Sequence, residues 1–232
     1  MLTVEKFAKV FDMAVLKQDT QEIAIREACA LARHYDLAAL YTTPCWSHVV
    51  ASELKGSDVR AGVAVGFPYG TNTSRAKFVE IEETLGLGCS AMDMVVNIGA
   101  LKDRNYGLVR KEISTLVDLC GADTLSKVIY EVCFLTDPEI TALTEICVEL
   151  GVNYVKTSTG SEGLPDVHHI EVMRAATAGS LTKLKVSGVP RQFTLAAALW
   201  MLDMGVELIG TRSAPSLVDQ YREHLQLGAV PN

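Results

Sequence analysis

Eight times along this chain a short apolar run rich in Val, Ile and Ala gives way to a longer amphipathic stretch, and nothing else restricts its fold so much. Short buried runs alternating with helical periodicity are the pattern of strand-helix units that feed a parallel sheet. The expected strands are Met13 to Leu16, Ala38 to Thr42, Gly62 to Gly66, Met92 to Val96, Val128 to Val132, Tyr154 to Thr157, Lys183 to Val186 and Glu207 to Ile209. The expected helices are Thr20 to Tyr35, Cys45 to Leu54, Ser74 to Leu87, Tyr106 to Cys120, Asp137 to Leu150, Asp166 to Ala176, Thr194 to Met204 and Pro215 to Leu225, after a short one near Val4 to Val10. Thr136-Asp137-Pro138 offers a cap with proline in the first turn, and Gly151 closes that helix where a left-handed residue is wanted. No Pro/Gly/Ser-rich linker or charge block divides the 232 residues, so one domain over 1–232 is expected. Eight units in this length fit an α/β fold of the closed (β/α)8 or TIM-barrel kind. The competitor is an open doubly wound sheet, whose G-x-G-x-x-G after the first strand is missing here.

A net charge of -7 without any Lys/Arg cluster argues against a nucleic-acid or membrane surface, since both need a concentrated positive field. Small anionic substrates need only a local site. The first residues, Met1 to Lys6, carry no export signal, and no apolar run reaches transmembrane length. Six single cysteines, Cys29, Cys45, Cys89, Cys120, Cys133 and Cys147, lack any CxxC pair and fit reduced core thiols in a cytoplasmic protein, with Cys45 the one expected near the surface. The five histidines show no metal-ligand spacing, so no metal or other cofactor is expected.

Two lysines end apolar runs: Lys156 in Tyr154-Val155-Lys156-Thr157-Ser158-Thr159-Gly160, and Lys185 in Leu184-Lys185-Val186-Ser187-Gly188. Barrels carry their chemistry at the carboxyl ends of the strands, where strands six and seven would deliver both amines. Neighbouring strands lie about 4.8 Å apart, so the two amines can couple. Burial and a second cation both disfavour an ammonium, leaving one amine neutral and nucleophilic, as Schiff-base chemistry requires. Taken one at a time, each lysine reads rather as a strand end in solvent, since buried lysines are rare; the pairing reverses that reading. Asp93 interrupts the apolar run of strand four and must face the barrel interior or its mouth with a partner, either as an ion pair or as a proton-transfer group.

Three loops on the same rim have the small residues that leave backbone N–H groups free for an anion: Thr157-Ser158-Thr159-Gly160, Ser187-Gly188-Val189 and Gly210-Thr211-Arg212-Ser213. The last two follow strands seven and eight, the usual phosphate cradle of barrels. Arg191 and Arg212 add charge.

With those residues in hand, the chain resembles the deoxyribose-phosphate aldolases, class I aldolases on a (β/α)8 barrel, over nearly its whole length. The likeness is carried by Val65-Gly66-Phe67-Pro68-Tyr69-Gly70, by the stretch Met92-Asp93-Met94-Val95-Val96-Asn97 through Lys102, and by Lys127-Val128-Ile129-Tyr130-Glu131-Val132. The strand-six, strand-seven and strand-eight motifs already quoted complete it. The resemblance implies that Lys156 attacks the aldehyde of 2-deoxy-D-ribose 5-phosphate, that Lys185 depresses its pKa, and that Asp93 with a water moves protons. It implies further that the iminium is the electron sink for breaking the bond between C3 and C4, releasing glyceraldehyde 3-phosphate and then acetaldehyde. Asp12, Thr159, Gly160, Gly188, Val189, Arg191, Gly210, Arg212 and Ser213 would contact substrate or its phosphate, with no metal and no cofactor.

Departures from the family pattern mark the pocket. The usual Asp-His-Thr-Leu-Leu is Asp12-Met13-Ala14-Val15-Leu16, which loses a hydroxyl at Ala14, and Val-Cys-Val-Asn-Pro is Leu40-Tyr41-Thr42-Thr43-Pro44, which puts a bulkier Tyr41 in the pocket region. Gly-Gly-Ile-Arg becomes Gly188-Val189-Pro190-Arg191, where Pro190 lacks a donor and Val189 restricts the loop. Gly-Thr-Ser-Ser becomes Gly210-Thr211-Arg212-Ser213, and the tail Val230-Pro231-Asn232 lacks the terminal tyrosine of some members. A Schiff-base aldolase for another sugar phosphate or sugar acid, a catalytically silent sugar-phosphate binder and a metal-dependent barrel enzyme stay open as alternatives. The commonest assembly for such a chain is a homodimer.

Overall fold

A computed structural model describes residues 2–190 and 192–228. Eight parallel strands close into a barrel in chain order: β1 (Phe11–Val15), β2 (Ala39–Thr42), β3 (Arg60–Val65), β4 (Ala91–Val95), β5 (Leu125–Ile129), β6 (Tyr154–Lys156), β7 (Lys183–Val186) and β8 (Leu208–Gly210). The outer layer is α2 (Glu22–His34), α3 (Ser47–Leu54), α4 (Ser74–Gly86), α6 (Tyr106–Cys120), α7 (Asp137–Glu149), α8 (Val167–Thr177), α9 (Leu195–Asp203) and α10 (Ala214–Gly228), with short helices α1 (Val4–Ala8) and α5 (Ile98–Lys102). This is the expected (β/α)8 architecture; α5 is an addition, started by the Asn97 side chain accepting from the Ala100 N–H. Helix α7 starts as anticipated, with Thr136 and Glu139 forming a reciprocal capping box and Pro138 in the first turn.

Strand side chains alternate between faces. Met13, Leu40, Val63, Met92, Val128, Val155 and Leu184 point outward into the main core beneath the helices. The alternate positions fill the barrel, where the apolar content is small: Ala39, Tyr41 and Ala91, with Ala14 and Leu125 against them. Asp12, Asp93, Lys127, Lys156 and Lys185 share that interior with Ala64, Val95 and Ile129, and charge buried where barrels are usually apolar creates the site.

The fifth strand corrects the sequence reading. It spans Leu125–Ile129 rather than Val128 to Val132, because Lys127 lies inside the strand and the chain leaves the sheet at Glu131, whose φ of 54° is left-handed. A charged residue was taken as the edge of the apolar run, whereas here it is a fully buried member of it.

Candidate active site

Register sets the cluster. Lys156 of β6 is level with Lys185 of β7, and Asp93 of β4 is level with Lys127 of β5, so four charged side chains enter the barrel at neighbouring heights. Asp12 of β1 is level with Gly210 of β8. Glycine is needed there: a Cβ on Gly210 would come within 2.8 Å of the Ser187 Cβ and 3.5 Å of the Lys185 stem.

The five groups form a chain of alternating charge. Lys156 Nζ lies 3.0 Å from Asp93 Oδ2, and the same oxygen is 2.8 Å from Lys185 Nζ. Lys185 Nζ is also 2.7 Å from Asp12 Oδ2, which in turn is 2.9 Å from Lys127 Nζ. Lys185 thus bridges both carboxylates, while Lys156 and Lys127 stand at the ends with one short carboxylate contact each, Lys127 having a second, longer one to Asp93 Oδ1 at 3.8 Å. Asp93 is fully buried, Lys127 is fully buried, and Lys185 is 1% exposed; Lys156, at 6%, is the most open of the four.

Three ammonium groups against two carboxylates is one positive charge too many for a buried cluster. Burial, reinforced by the charge of Lys185, lowers Lys156 to about 8. Burial also lowers Lys127, although Asp12 opposes it. Lys185 goes the other way, since the Asp12 and Asp93 carboxylates outweigh its burial and raise it. Burial pushes both aspartates up, but the surrounding ammonium groups more than offset this and hold both below the usual carboxylate range. The arrangement therefore provides a charged bridge, two ionised carboxylates and, at the solvent-facing end, an amine that sheds its proton near neutral pH.

Tyr41, expected from the sequence as a bulkier side chain in the pocket region, lies at the amine cluster itself. It is 2% exposed and fills the barrel among the amines, with its hydroxyl 2.5 Å from Lys127 Nζ. Lys127 itself was singled out by no charge or spacing argument in the sequence; the signal available was a lysine directly before the apolar run Val128-Ile129-Tyr130.

On the rim the three small-residue loops converge. Gly160 and Gly188 both have left-handed backbones, and a Cβ on Gly160 would stand 3.4 Å from the Gly188 Cα. Thr157 and Ser187 lock the first two loops, the Thr157 hydroxyl donating to Ser187 O at 3.0 Å and accepting from the Ser187 N–H. Among the described residues the N–H groups of Gly160, Gly188 and Val189 have no protein acceptor. Thr159 is taken up otherwise: its N–H and its hydroxyl both go to the Glu131 carboxylate, another residue that spacing did not flag. The Ser213 N–H donates to the Thr211 hydroxyl. Arg191 and the tail Val230-Pro231-Asn232 lie outside the described residues.

Two cavities flank the cluster. One of about 500 Å3, lined by Met13, Ala14, Lys17, Thr20, Gln21 and Arg212 among others, lies beside the β1 and β8 ends rather than over the amines. Ala14 and Arg212, two departures from the family pattern, both border it. The other, about 240 Å3, opens at the opposite end of the barrel and reaches Asp12 and Lys127 between Lys9, Asp58, Arg60 and Tyr154. No group of three or more His, Cys, Asp or Glu able to hold a metal occurs among the described residues. No described helix is long and apolar enough to cross a membrane. Cys29, Cys89, Cys120 and Cys147 are buried thiols, whereas Cys133 joins Cys45 at the surface, contrary to its apolar sequence context.

No family model matches the chain. It is 36% identical to the deoxyribose-phosphate aldolase of Clostridium tetani over 213 residues, 91% of this chain and 97% of that protein. It is 38% identical to the deoxyribose-phosphate aldolase of a Geobacillus strain, over 91% of this chain and 94% of that one. Among solved structures, the tetrameric deoxyribose phosphate aldolase of Aeropyrum pernix superposes with a TM-score of 0.86, covering 96% of this chain and 93% of that one at 23% identity, a likeness of fold.

Proposed function

The chain belongs to the deoxyribose-phosphate aldolase family, and from that premise we propose that it cleaves 2-deoxy-D-ribose 5-phosphate reversibly to D-glyceraldehyde 3-phosphate and acetaldehyde through a Schiff base on Lys156. The observation that carries this reading is the position of Lys156 at the open end of the alternating charge chain, where burial and Lys185 hold its amine near 8. A neutral amine there attacks the C1 aldehyde, and loss of water from the carbinolamine leaves an iminium. Asp93, within 3.0 Å of that nitrogen, is placed to take and return the protons of those steps, through a water where the reach requires it.

The bond that breaks in this reading is C2–C3, not the C3–C4 bond of the sequence expectation. An electron sink at C1 drains the bond between its α and β carbons, and products of two and three carbons require the same cut. The C3 hydroxyl gives up its proton as the aldehyde of glyceraldehyde 3-phosphate forms, the bonding pair passes into the C1–C2 enamine, and protonation at C2 followed by hydrolysis frees acetaldehyde and the amine. Lys185, held charged between Asp93 and Asp12, is the cation that keeps Lys156 poised.

The phosphate in this proposal lies against the N–H groups of Gly160, Gly188 and Val189, with Gly210 and Ser213 on the adjoining turn, Thr159 bracing the first loop through Glu131, and Arg191 and Arg212 adding charge. A homodimer belongs to the same proposal, and light scattering at twice the 25.1 kDa chain mass would support it where any other mass would remove it. Aldehyde release measured across deoxyribose phosphate, other sugar phosphates and sugar acids tests the assignment. Turnover of deoxyribose phosphate supports it; turnover of another substrate with none of deoxyribose phosphate refutes it.

A further inference from the structure

The charge chain has two ends, and its excess proton can leave from either. Lys156 and Lys127 are both buried, both touch a single carboxylate closely, and both carry amines pushed down by burial. Only one of them faces the mouth. If the proton were shed at Lys127, Lys156 would stay an ammonium and the nucleophile would be lost, so something must break the near symmetry of the chain.

Tyr41 treats the ends differently through its hydroxyl as well as its ring, whereas Tyr154 offers Lys127 only a ring face at 5.1 Å and Asp93 only a second contact at 3.8 Å. The Tyr41 hydroxyl accepts from Lys127 Nζ at 2.5 Å, a charge-assisted hydrogen bond that favours the ammonium form of Lys127. Its ring face lies 4.2 Å from Lys185 Nζ and 4.8 Å from Lys127 Nζ, but 5.9 Å from Lys156 Nζ. Cation–π attraction in a desolvated site falls off over this range, so the ring also favours charge on Lys185 and Lys127 over Lys156. Burial and the Asp93 and Asp12 carboxylates keep the phenol itself far above its ordinary pKa, so it stays neutral and available as an acceptor. The neighbouring strand makes room for the ring: Gly62 is level with Tyr41, and a Cβ there would meet the ring at 2.6 Å.

We propose that Tyr41 is a positioning residue which, by holding the proton on Lys127 and Lys185, directs the proton vacancy of the cluster to Lys156. The inference rests on the Schiff-base reading of Lys156. The ionisable groups that face the chain are Asp12 of β1, Tyr41 of β2, Asp93 of β4, Lys127 of β5, Tyr154 and Lys156 of β6 and Lys185 of β7, with Glu131 near Lys156. Of these, Tyr41 is the one that contacts all three amines without a charge of its own.

The test is the pH dependence of borohydride trapping with acetaldehyde, read as the midpoint of adduct formation at Lys156. Tyr41→Phe keeps the ring and the packing but removes the acceptor from Lys127. Its midpoint should rise by about one pH unit, the worth of one charge-assisted hydrogen bond. Pentafluorophenylalanine at position 41, which keeps the shape and withdraws the negative ring face, should raise it further. In Lys127→Met the competing end is gone, so the midpoint rises and Tyr41→Phe added to it should shift the midpoint no more. A midpoint unmoved by both aromatic replacements, or a Tyr41→Phe shift of equal size with and without Lys127, overturns the proposal. Absence of any trapped adduct in the native protein would instead overturn the Schiff-base reading on which it rests.

Discussion

A lysine is an ordinary base until its surroundings make the ammonium costly, and at position 156 they do so through burial first and Lys185 second. Because only the neutral amine attacks a carbonyl, kcat/KM should climb with pH through about 8 and level off above it. Lys185→Leu removes the neighbouring cation and leaves Lys156 as the one amine within 3.0 Å of Asp93, both of which favour the ammonium. The midpoint should then move upward by about one unit or more, with about a tenfold or greater loss of activity at pH 7; a rate profile that stays in place would show that the two amines do not sense each other. At the rim, Arg212 stands where the family pattern has a hydroxyl, and it borders the 500 Å3 cavity. Arg212→Ser should raise KM for the phosphorylated substrate while sparing kcat, and an unaltered KM would place the phosphate elsewhere.

At the level of elements, the sequence was most readable where polarity and geometry agree. Lys156 closes β6 and Lys185 stands one residue before the end of β7, so each apolar run and its strand stop within a residue of the lysine, and both amines were legible as a pair. Strand β5 was misplaced because Lys127 breaks the run at mid-strand; a charge buried by partners from β1 and β2 looks, in one dimension, like a boundary. The surroundings of Tyr41 were illegible for a similar reason, since the three amines around its ring lie 86 or more residues away along the chain. A second buried ion pair fixes the outer layer below the β3 and β4 ends. Lys77 of α4 donates to Val95 O of β4 at 3.0 Å and to Glu112 of α6 at 2.8 Å, with both side chains almost wholly enclosed. Lys77→Met leaves Glu112 buried without its cation and should cost about 3 kcal/mol or more, a fall in Tm of about 6–12 °C by calorimetry. Adding Glu112→Leu should restore a good part of that loss; a double variant no better than the sum of the singles would mean the pair is not coupled.

For the whole molecule, the barrel interior trades stability for reactivity. A barrel filled by branched apolar layers has no such debt, whereas this one buries three amines and two carboxylates. The sign of the Lys156 contribution follows from linkage. Its folded pKa of about 8 lies below the ordinary 10.5, so the unfolded chain binds the proton more tightly, the penalty is complete below about pH 8, and it is relieved as pH rises from there to about 10.5. Lys156→Met leaves two cations against two anions and should raise Tm by about 2–8 °C at pH 7, a gain that narrows toward pH 10; a lower Tm at pH 7 would show that the amine supports the fold. The most direct test of the account is peptide mass spectrometry after borohydride reduction in the presence of 2-deoxy-D-ribose 5-phosphate. A two-carbon adduct on the peptide containing Lys156, gone in Lys156→Ala, is the result predicted; an adduct on Lys127 or Lys185, or none, would contradict it.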